Sequence, residues 1–219
     1  KLINNTLGFL AIALVLSLGG CTTDLDTEPT NILPESGVFT DKALAQSVLA
    51  NFYASVNYGQ HNGNHNNYHL LDEANLSYGP ATTTDAEKVI PRDFFQTYDY
   101  GLVRSMNQFL AGIRSAPAKA ALLEADRRDL EAQCIFLRAW YHFCMARSFG
   151  GMPILGDTVF TYESGIDPER FQVARSTEAG IYDYVIAQCD LAAANLTSSK
   201  TTNGGIANKW AALMLKARA

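Results

Sequence analysis

The chain has 219 residues, with 17 Lys and Arg against 22 Asp and Glu, a net charge of −5 and 47% hydrophobic residues. This length is enough for one domain with its own hydrophobic core. The acidic balance and the lack of any basic cluster in the sequence argue against a nucleic-acid partner, because phosphate neutralisation needs clustered Lys and Arg.

An apolar run of 15 residues, Thr6–Gly20, ends directly at Cys21. The run is shorter than the ~20 residues that a membrane-spanning helix needs. Its last two residues are the small ones that a signal peptidase requires. The sequence Leu18-Gly19-Gly20-Cys21 resembles a bacterial lipobox, in which the cysteine is lipidated and becomes the mature N-terminus. We therefore predict a lipoprotein signal peptide at 1–20 and lipidation at Cys21; the alternative is an ordinary secretory signal with a cysteine nearby.

Residues 21–40 are predicted to be an acidic tether after the lipidated cysteine, because they are polar and contain prolines and a glycine. Asp24, Asp26 and Glu28 resemble the acidic export tag that sends lipoproteins of some Gram-negative bacteria to the cell surface. No later apolar run in the sequence is long enough to span a membrane, so the lipid would be the anchor. The predicted location is the outer membrane, facing the cell exterior.

The first helix is predicted to open at Asp41, with Thr40 or Asp41 as its N-cap. Apolar residues recur there at three- and four-residue steps, as on one face of a helix. They are Leu44, Val48, Leu49, Phe52 and Val56.

Further helices are predicted at 98–115, ended by Pro117, at 119–149, at 177–197 and from about 206 onward. The second half of 119–149 is apolar on nearly every face, so this helix should be the central and most buried one. Gly150-Gly151 should supply its left-handed C-cap. Its polar interruptions, Arg138 and Arg147, are interpreted as anchors for loop carbonyls or carboxylates. Trp140 and Tyr141 are interpreted as core residues rather than as a ligand platform.

Between residues 58 and 96 the helical periodicity disappears, and Asn, Gly, His, Thr and Tyr dominate. Long irregular segments within compact domains are usually functional or disordered, and the many aromatic residues argue against disorder. His61, His65 and His69 stand four apart, a spacing that would form a metal-binding face on a helix. The surrounding Asn and Gly residues favour an exposed polar loop instead, so neither a metal nor a cofactor is predicted.

Cys134 and Cys144 are predicted to lie on one helix, ~15 Å apart along its axis, too far to form a disulfide with each other. Either could pair with Cys189 if the two helices pack face to face. The preferred interpretation is three buried thiols that act as small hydrophobic side chains.

Four stretches of the sequence resemble the N-terminal part of SusD/RagB-type outer-membrane nutrient-binding lipoproteins. The most specific is Glu131–Pro153 (EAQCIFLRAWYHFCMARSFGGMP), which is close to the family's hallmark. The others are the lipobox with its entry to the first helix (PESGVFTD), the Arg175-Ser176-Thr177 start of a helix, and the segment 205–218. One departure is Gly180, which stands where relatives often place a Glu that completes a capping box.

The resemblance implies an all-α fold of tetratricopeptide-like helix pairs with a long irregular loop insertion. Residues 41–219 would be an incomplete N-terminal helical-repeat domain. Family members continue through further helices and an irregular C-terminal region, so we expect the chain to stop short of the family's full length. Each helix pair buries its apolar stripe only by stacking on the next pair.

The function that the resemblance implies is cell-surface capture of an oligosaccharide or polysaccharide and its delivery to a partner TonB-dependent outer-membrane transporter. Relatives use the region between the first helix and the first repeat for part of their glycan platform. Aromatic faces bind the C–H patches of sugars, and Asn, Asp and Arg side chains bind their hydroxyls, although many of these aromatics could simply pin the segment to the core. The candidate glycan-binding residues are Tyr68, Asp72, Asn75 and Tyr78.

The sequence contains none of the nucleotide-binding, serine-hydrolase or zinc-protease motifs, so an enzyme is not predicted. One alternative is a helical-repeat module that captures peptides or partner proteins and does not bind sugar. A surface glycoside hydrolase is the other.

Overall fold

Helices make up most of the chain that the structure describes. The computed structural model describes residues 35–56, 99–199 and 205–219, which belong to one compact unit that starts at Glu35. The helices are α1 (Glu35–Val38), α2 (Lys42–Ser55), α3 (Tyr100–Ile113), α4 (Ala116–Ala121), α5 (Glu124–Phe149), a 3-10 helix (Pro168–Phe171), α6 (Glu178–Asn195) and α7 (Lys209–Arg218). Within these three ranges the extended pairing is limited to an isolated antiparallel bridge between Pro153 and Arg175. The all-α prediction is confirmed.

The helix starts follow from short polar side chains that accept hydrogen bonds from first-turn amides. Asp41 accepts from the amides of residues 43 and 44, as predicted for the first helix, and Thr177 accepts from that of Gly180. Asp99 and Asn208 cap α3 and α7 in the same way. Each such cap stabilises its helix by about 1 kcal/mol.

The predicted single helix 119–149 is wrong at its N-terminal end, where two helices occur. Leu122 and Leu123 are extended, with ψ angles of 145° and 138°, and they separate α4 from α5. Ser115 caps α4, and Pro117 lies in the first turn of α4, where a missing N–H costs nothing. The proline that was predicted only to end the preceding helix therefore also belongs to the start of the next one. Two leucines carry no breaker signal, and the interruption is therefore invisible to the helical periodicity.

Helix α5 is the centre of the fold, as predicted. It packs against α2, α3, α4 and most extensively α6, and α7 packs against α6. Residues 132–139 and 141–146 of α5 are all buried. Gly150 then ends the helix, as predicted, with a φ of 71° that favours glycine, although its ψ of −141° differs from that of the predicted left-handed C-cap. One residue of the predicted apolar face lies at the surface instead: Leu44 is exposed on α2.

Helix α2 is held to the rest by aromatic and ionic contacts across a large sequence separation. Phe39 and Phe52 both pack edge-on against Phe109 of α3, with ring centroids 5.5 and 5.9 Å away. Lys42 Nζ lies 2.7 Å from Asp126 Oδ1 on α5. A Cβ on Gly112 would stand 2.1 Å from the Phe39 ring, so the close approach of this ring requires a glycine.

In the described part of the chain, no helix has both the length and the apolar character needed to cross a membrane.

Candidate functional site

The residues predicted to bind glycan lie outside the described ranges. They are Tyr68, Asp72, Asn75 and Tyr78, and the histidines at 61, 65 and 69 and the lipidation site Cys21 lie outside as well. The structure does describe the residues that flank the segment 57–98 and the loops beside them, and these form the frame of the candidate site.

The C-terminal base of this segment is bonded to the central helix and to the loop that follows it. Asp99 Oδ1 accepts from the Gly101 amide at 2.7 Å, and the Asp99 carbonyl accepts from the Tyr141 hydroxyl at 3.0 Å. The Tyr100 hydroxyl donates to the Pro153 carbonyl at 2.5 Å. Burial raises the pKa of Tyr141, so its phenol stays protonated and remains a donor. The segment therefore rejoins the fold at a fixed point.

Two motifs that carry the family resemblance meet in space, at a clamp formed by residues 149–153 and 175–176. Arg175 donates from Nε to the Gly151 carbonyl and from Nη2 to the Phe149 carbonyl, the latter at 2.9 Å. The Ser176 amide donates to the Met152 carbonyl at 3.0 Å. A Cβ on Gly151 would stand 2.1 Å from the Ser176 carbonyl oxygen, so the clamp closes only around a glycine.

Arg138, 1% exposed, binds the loop after α5 from inside the helix bundle. Its Nη1 lies 2.5 Å from Asn107 Oδ1, 2.9 Å from the Gly156 carbonyl and 2.7 Å from Asp157 Oδ1, and its Nη2 lies 2.7 Å from Gln188 Oε1. A buried charge needs partners of this kind, although Arg138 Nε is buried and has no hydrogen-bond partner among the described residues. The prediction that Arg138 anchors a loop is confirmed.

Asp157 joins Arg138 to a second arginine. Its Oδ2 lies 2.6 Å from Nη1 of Arg114, whose Nε lies 2.6 Å from Glu131 Oε1. Burial alone would raise the pKa of Asp157, but hydrogen bonds from the two arginines outweigh it and hold that pKa below its usual value. Asp157 was not predicted as a partner of Arg138, although it is the first carboxylate after α5 and a buried arginine needs charged or polar partners.

Arg147, like Arg138, was predicted to anchor loop carbonyls or carboxylates, and this prediction is wrong. Its guanidinium lies over the Phe143 ring instead, with Cζ 5.9 Å from the ring centroid.

His142 is a buried neutral imidazole. Its Nδ1 lies 2.8 Å from the Arg138 carbonyl, which can only accept, so Nδ1 carries the proton. Nε2 is buried and has no hydrogen-bond partner among the described residues. The Tyr184 ring packs edge-on at 5.2 Å. Burial lowers the pKa of His142 to about 4, so the ring is uncharged near neutral pH.

The three described cysteines are free and buried, as preferred in the sequence analysis. Burial raises the pKa of Cys134 and Cys189 to about 12 and that of Cys144 to about 11. The thiols are therefore protonated near neutral pH and are poor nucleophiles or metal ligands. Across residues 35–56, 99–199 and 205–219, no three His, Cys, Asp or Glu side chains come together as a metal site.

A groove of about 370 Å³ runs between α2, α5 and α7. Its apolar lining includes Phe136, Trp140, Ile206, Met214 and the stem of Arg218. Trp140 and Tyr141 were both predicted to be core residues; Tyr141 is buried, but Trp140 is only half-buried. The Arg218 guanidinium lies 5.8 Å from the centroid of the Trp140 ring. The Tyr53 hydroxyl at the groove accepts from the Ala207 amide at 2.9 Å.

Comparison with known proteins supports the fold and the family. A solved SusD-like protein from Bacteroides fragilis matches with a TM-score of 0.61 and 21% identity, over 88% of this chain and 37% of that one. A SusD-like carbohydrate-binding protein from the same organism matches with a TM-score of 0.58 and 22% identity, over 83% and 37%. This chain thus spans little more than a third of the solved structures it matches. No curated protein matches at a significant level.

The model of the SusD-like family, which is described as starch-binding and associating with the outer membrane, matches residues 24–219. That range includes every helix described above. On this evidence the chain belongs to the SusD-like family.

Proposed function

We propose that the protein captures oligosaccharides at the outer surface of the cell and delivers them to a partner TonB-dependent outer-membrane transporter. The observation that carries this proposal is the family match over residues 24–219, with its description as starch-binding and associating with the outer membrane. The protein acts by binding, without breaking glycosidic bonds. Lipidated Cys21 and the acidic tether that follows it hold the protein on the membrane, facing outward.

The geometry of the frame supports a binding role for the segment 57–98. Asp99 and Tyr100, at the end of this segment, bond to Tyr141 and Pro153, and the clamp fixes the loop that includes Pro153. A ligand-binding segment joined to a fixed base loses less conformational freedom on binding than one on a mobile base. We assign ligand contact to Tyr68, Asp72, Asn75 and Tyr78, which combine aromatic faces for sugar C–H patches with carboxylate and amide groups for hydroxyls.

The test is the substitution Tyr78→Ala in the full-length mature protein. Because an aromatic contact of this kind contributes about 1 kcal/mol, glycan affinity should fall about fivefold. Isothermal titration calorimetry with maltoheptaose, and with xylan, cellulose and chitin oligosaccharides, measures it. Tyr78→Phe, which keeps the ring, serves as the matched control, and circular dichroism checks folding. Unchanged affinity in Tyr78→Ala would remove Tyr78 from the site.

The groove beside Trp140 favours a second candidate, peptide capture. Its lining of aromatic and methionine side chains suits apolar peptide side chains, because methionine adapts its shape to varied partners. Calorimetry with a mixture of short tryptic peptides separates the two functions. Peptide binding with no response to any of the glycans would favour capture of peptides.

A further inference from the structure

The loop between the two parts of the clamp, residues 154–174, is held along α3. Asn107 Nδ2 donates to the Thr158 carbonyl at 2.8 Å, and Arg104 Nε donates to the Phe160 carbonyl at 3.0 Å. Residues 158 to 160 therefore run antiparallel to α3, towards the helix end at which the segment 57–98 rejoins the fold. We call residues 158–172 the aromatic loop.

Three aromatic side chains of this loop have different environments. Phe160 and Phe171 are half-buried and pack edge-on, with ring centroids 5.6 Å apart, so they tie the two sides of the loop together. Tyr162 is 83% exposed, more than any other large hydrophobic side chain in the described residues. Packing explains the two phenylalanines and does not explain the tyrosine.

The backbone around Tyr162 is fixed although its ring is in solvent. On one side the Phe160 carbonyl is bonded to Arg104, and on the other the Ile166 amide donates to the Glu163 carbonyl at 3.2 Å in a turn. Gly165, with φ of 88°, supplies the conformation that this turn needs. A ring presented on a fixed backbone contacts a ligand with a small loss of side-chain entropy, since tyrosine has two χ angles.

The surroundings of Tyr162 suit an amphipathic ligand. Its neighbours Thr161, Glu163 and Ser164 are exposed and polar. A protein-docking patch would have an apolar, contiguous centre, which a single ring among polar residues does not provide. A sugar ring matches it better, because its C–H face packs on the phenol while its hydroxyls meet carboxylate and hydroxyl groups.

We propose that Tyr162 forms a sugar-contacting subsite on the aromatic loop, separate from the candidate residues of the segment 57–98. The inference rests on the proposed glycan capture and deepens it. An oligosaccharide of several units can contact Tyr162 with one unit while other units bind elsewhere on the protein, so the subsite favours longer chains over mono- and disaccharides.

The experiment is calorimetry on the full-length mature protein and its variants Tyr162→Ala and Tyr162→Phe. The probes are maltose, maltoheptaose, and xylan, cellulose and chitin oligosaccharides of short and long chain length. Leu123→Ala is the matched control, because Leu123 is also strongly exposed, at 75%, and lies between α4 and α5, outside the aromatic loop. Thermal unfolding of each variant is recorded in parallel.

For the long oligosaccharide that binds, Tyr162→Ala should weaken affinity about two- to tenfold, while Tyr162→Phe and Leu123→Ala stay near wild type. Tyr162→Ala should weaken the affinity for the short oligosaccharide less than the affinity for the long one. Wild-type affinity in Tyr162→Ala would overturn the subsite and leave glycan capture standing. A large drop in the melting temperature of Tyr162→Ala would show that the ring is structural and would also overturn it. A wild-type protein that binds none of the glycans would overturn both proposals.

Discussion

Arg138 places a full positive charge among apolar side chains at the centre of α5, where 1% of it is exposed. Its four partners come from α3, α6 and the loop after α5, so one side chain connects three parts of the fold. Removing the guanidinium leaves the buried Asn107 side chain without this donor and breaks the links to the loop and to α6, which costs more than the loss of a surface ion pair.

We expect Arg138→Met to lower the free energy of unfolding by about 3 kcal/mol or more. Arg128→Met is the matched control, because Arg128 lies on the same helix and makes an exposed ion pair with Glu124. That substitution should cost about 0.5 kcal/mol or less. Urea denaturation measures both, and equal losses would show that the buried network contributes no more than a surface pair.

His142 makes the stability depend on pH. Its pKa is about 4 in the folded protein and about 6.5 when unfolded, so the unfolded chain binds the extra proton. The stabilisation by the neutral ring is complete above pH 6.5 and is lost as the pH falls towards 4. Between pH 7 and pH 5 the wild type should lose about 2 kcal/mol through this one group.

Substitution of His142 tests this dependence of stability on pH. In His142→Leu the fall in unfolding free energy between pH 7 and pH 5 should be smaller by about the same 2 kcal/mol, whatever the variant's stability at pH 7. The other three histidines are present in both proteins and cancel in the comparison. Identical pH slopes for the two proteins would mean that His142 can be protonated without unfolding.

At the residue scale, the sequence predicted the role of Arg138 but not its partners. An arginine inside an apolar helix implies anchoring, whereas Asn107, Gln188 and Asp157 are brought to it only by tertiary packing. The same limit explains Leu44. It fits the apolar stripe of the first helix by periodicity, but helix packing leaves this position exposed.

At the scale of elements, the clamp explains why two distant motifs carry the resemblance. The Gly151 backbone approaches Ser176 so closely that a side chain at 151 cannot fit, and Arg175 then bonds the end of α5. The clamp joins the C-terminal end of α5 to the start of α6, which are the two most extensively packed helices.

Two glycine substitutions separate backbone crowding from side-chain crowding at this clamp. In Gly151→Ala the new Cβ meets a backbone oxygen at 2.1 Å, so we expect a loss of about 1–3 kcal/mol. In Gly180→Ala it meets the Ser176 hydroxyl at 2.5 Å, which can rotate away, while alanine favours the helix by up to about 1 kcal/mol. In thermal unfolding, the melting temperature of Gly180→Ala should lie well above that of Gly151→Ala. The reverse order would refute the close approach at Gly151.

The element predictions succeeded where periodicity and capping agree and failed where neither gives a signal. The starts of α2 and α6 follow from Asp41 and Thr177, and the end of α5 follows from Gly150. The break at Leu122–Leu123 has no glycine, proline or polar cluster to mark it. The break arises because α4 is a separate short helix, which Ser115 caps and which has Pro117 in its first turn.

At the scale of the whole molecule, the chain provides a helical frame and spans 37% of each of the two SusD-like structures to which it was compared. The family, the all-α class and the central helix were all predictable, because apolar periodicity and the hallmark sequence report on packing. The candidate ligand site stays a prediction and is assigned only to a region, since the sequence of the segment 57–98 has no periodicity from which to infer side-chain directions. Tyr162 illustrates the difference: its sequence neighbourhood is ordinary, and its exposure emerges only from the fold.

The docking of α2 has a consequence for how the family can vary. The Phe39, Phe52 and Lys42 contacts fix one end of the segment 57–98, and the bonds of Asp99 and Tyr100 fix the other. The entropy lost in closing a chain between fixed ends grows only with the logarithm of its length, so doubling the length costs about 0.6 kcal/mol. A change in the number of residues between these ends therefore adds little to the loop-closure cost of folding. Under the proposed function, the segment could be exchanged for one that binds another ligand while the helices at its two ends stay the same.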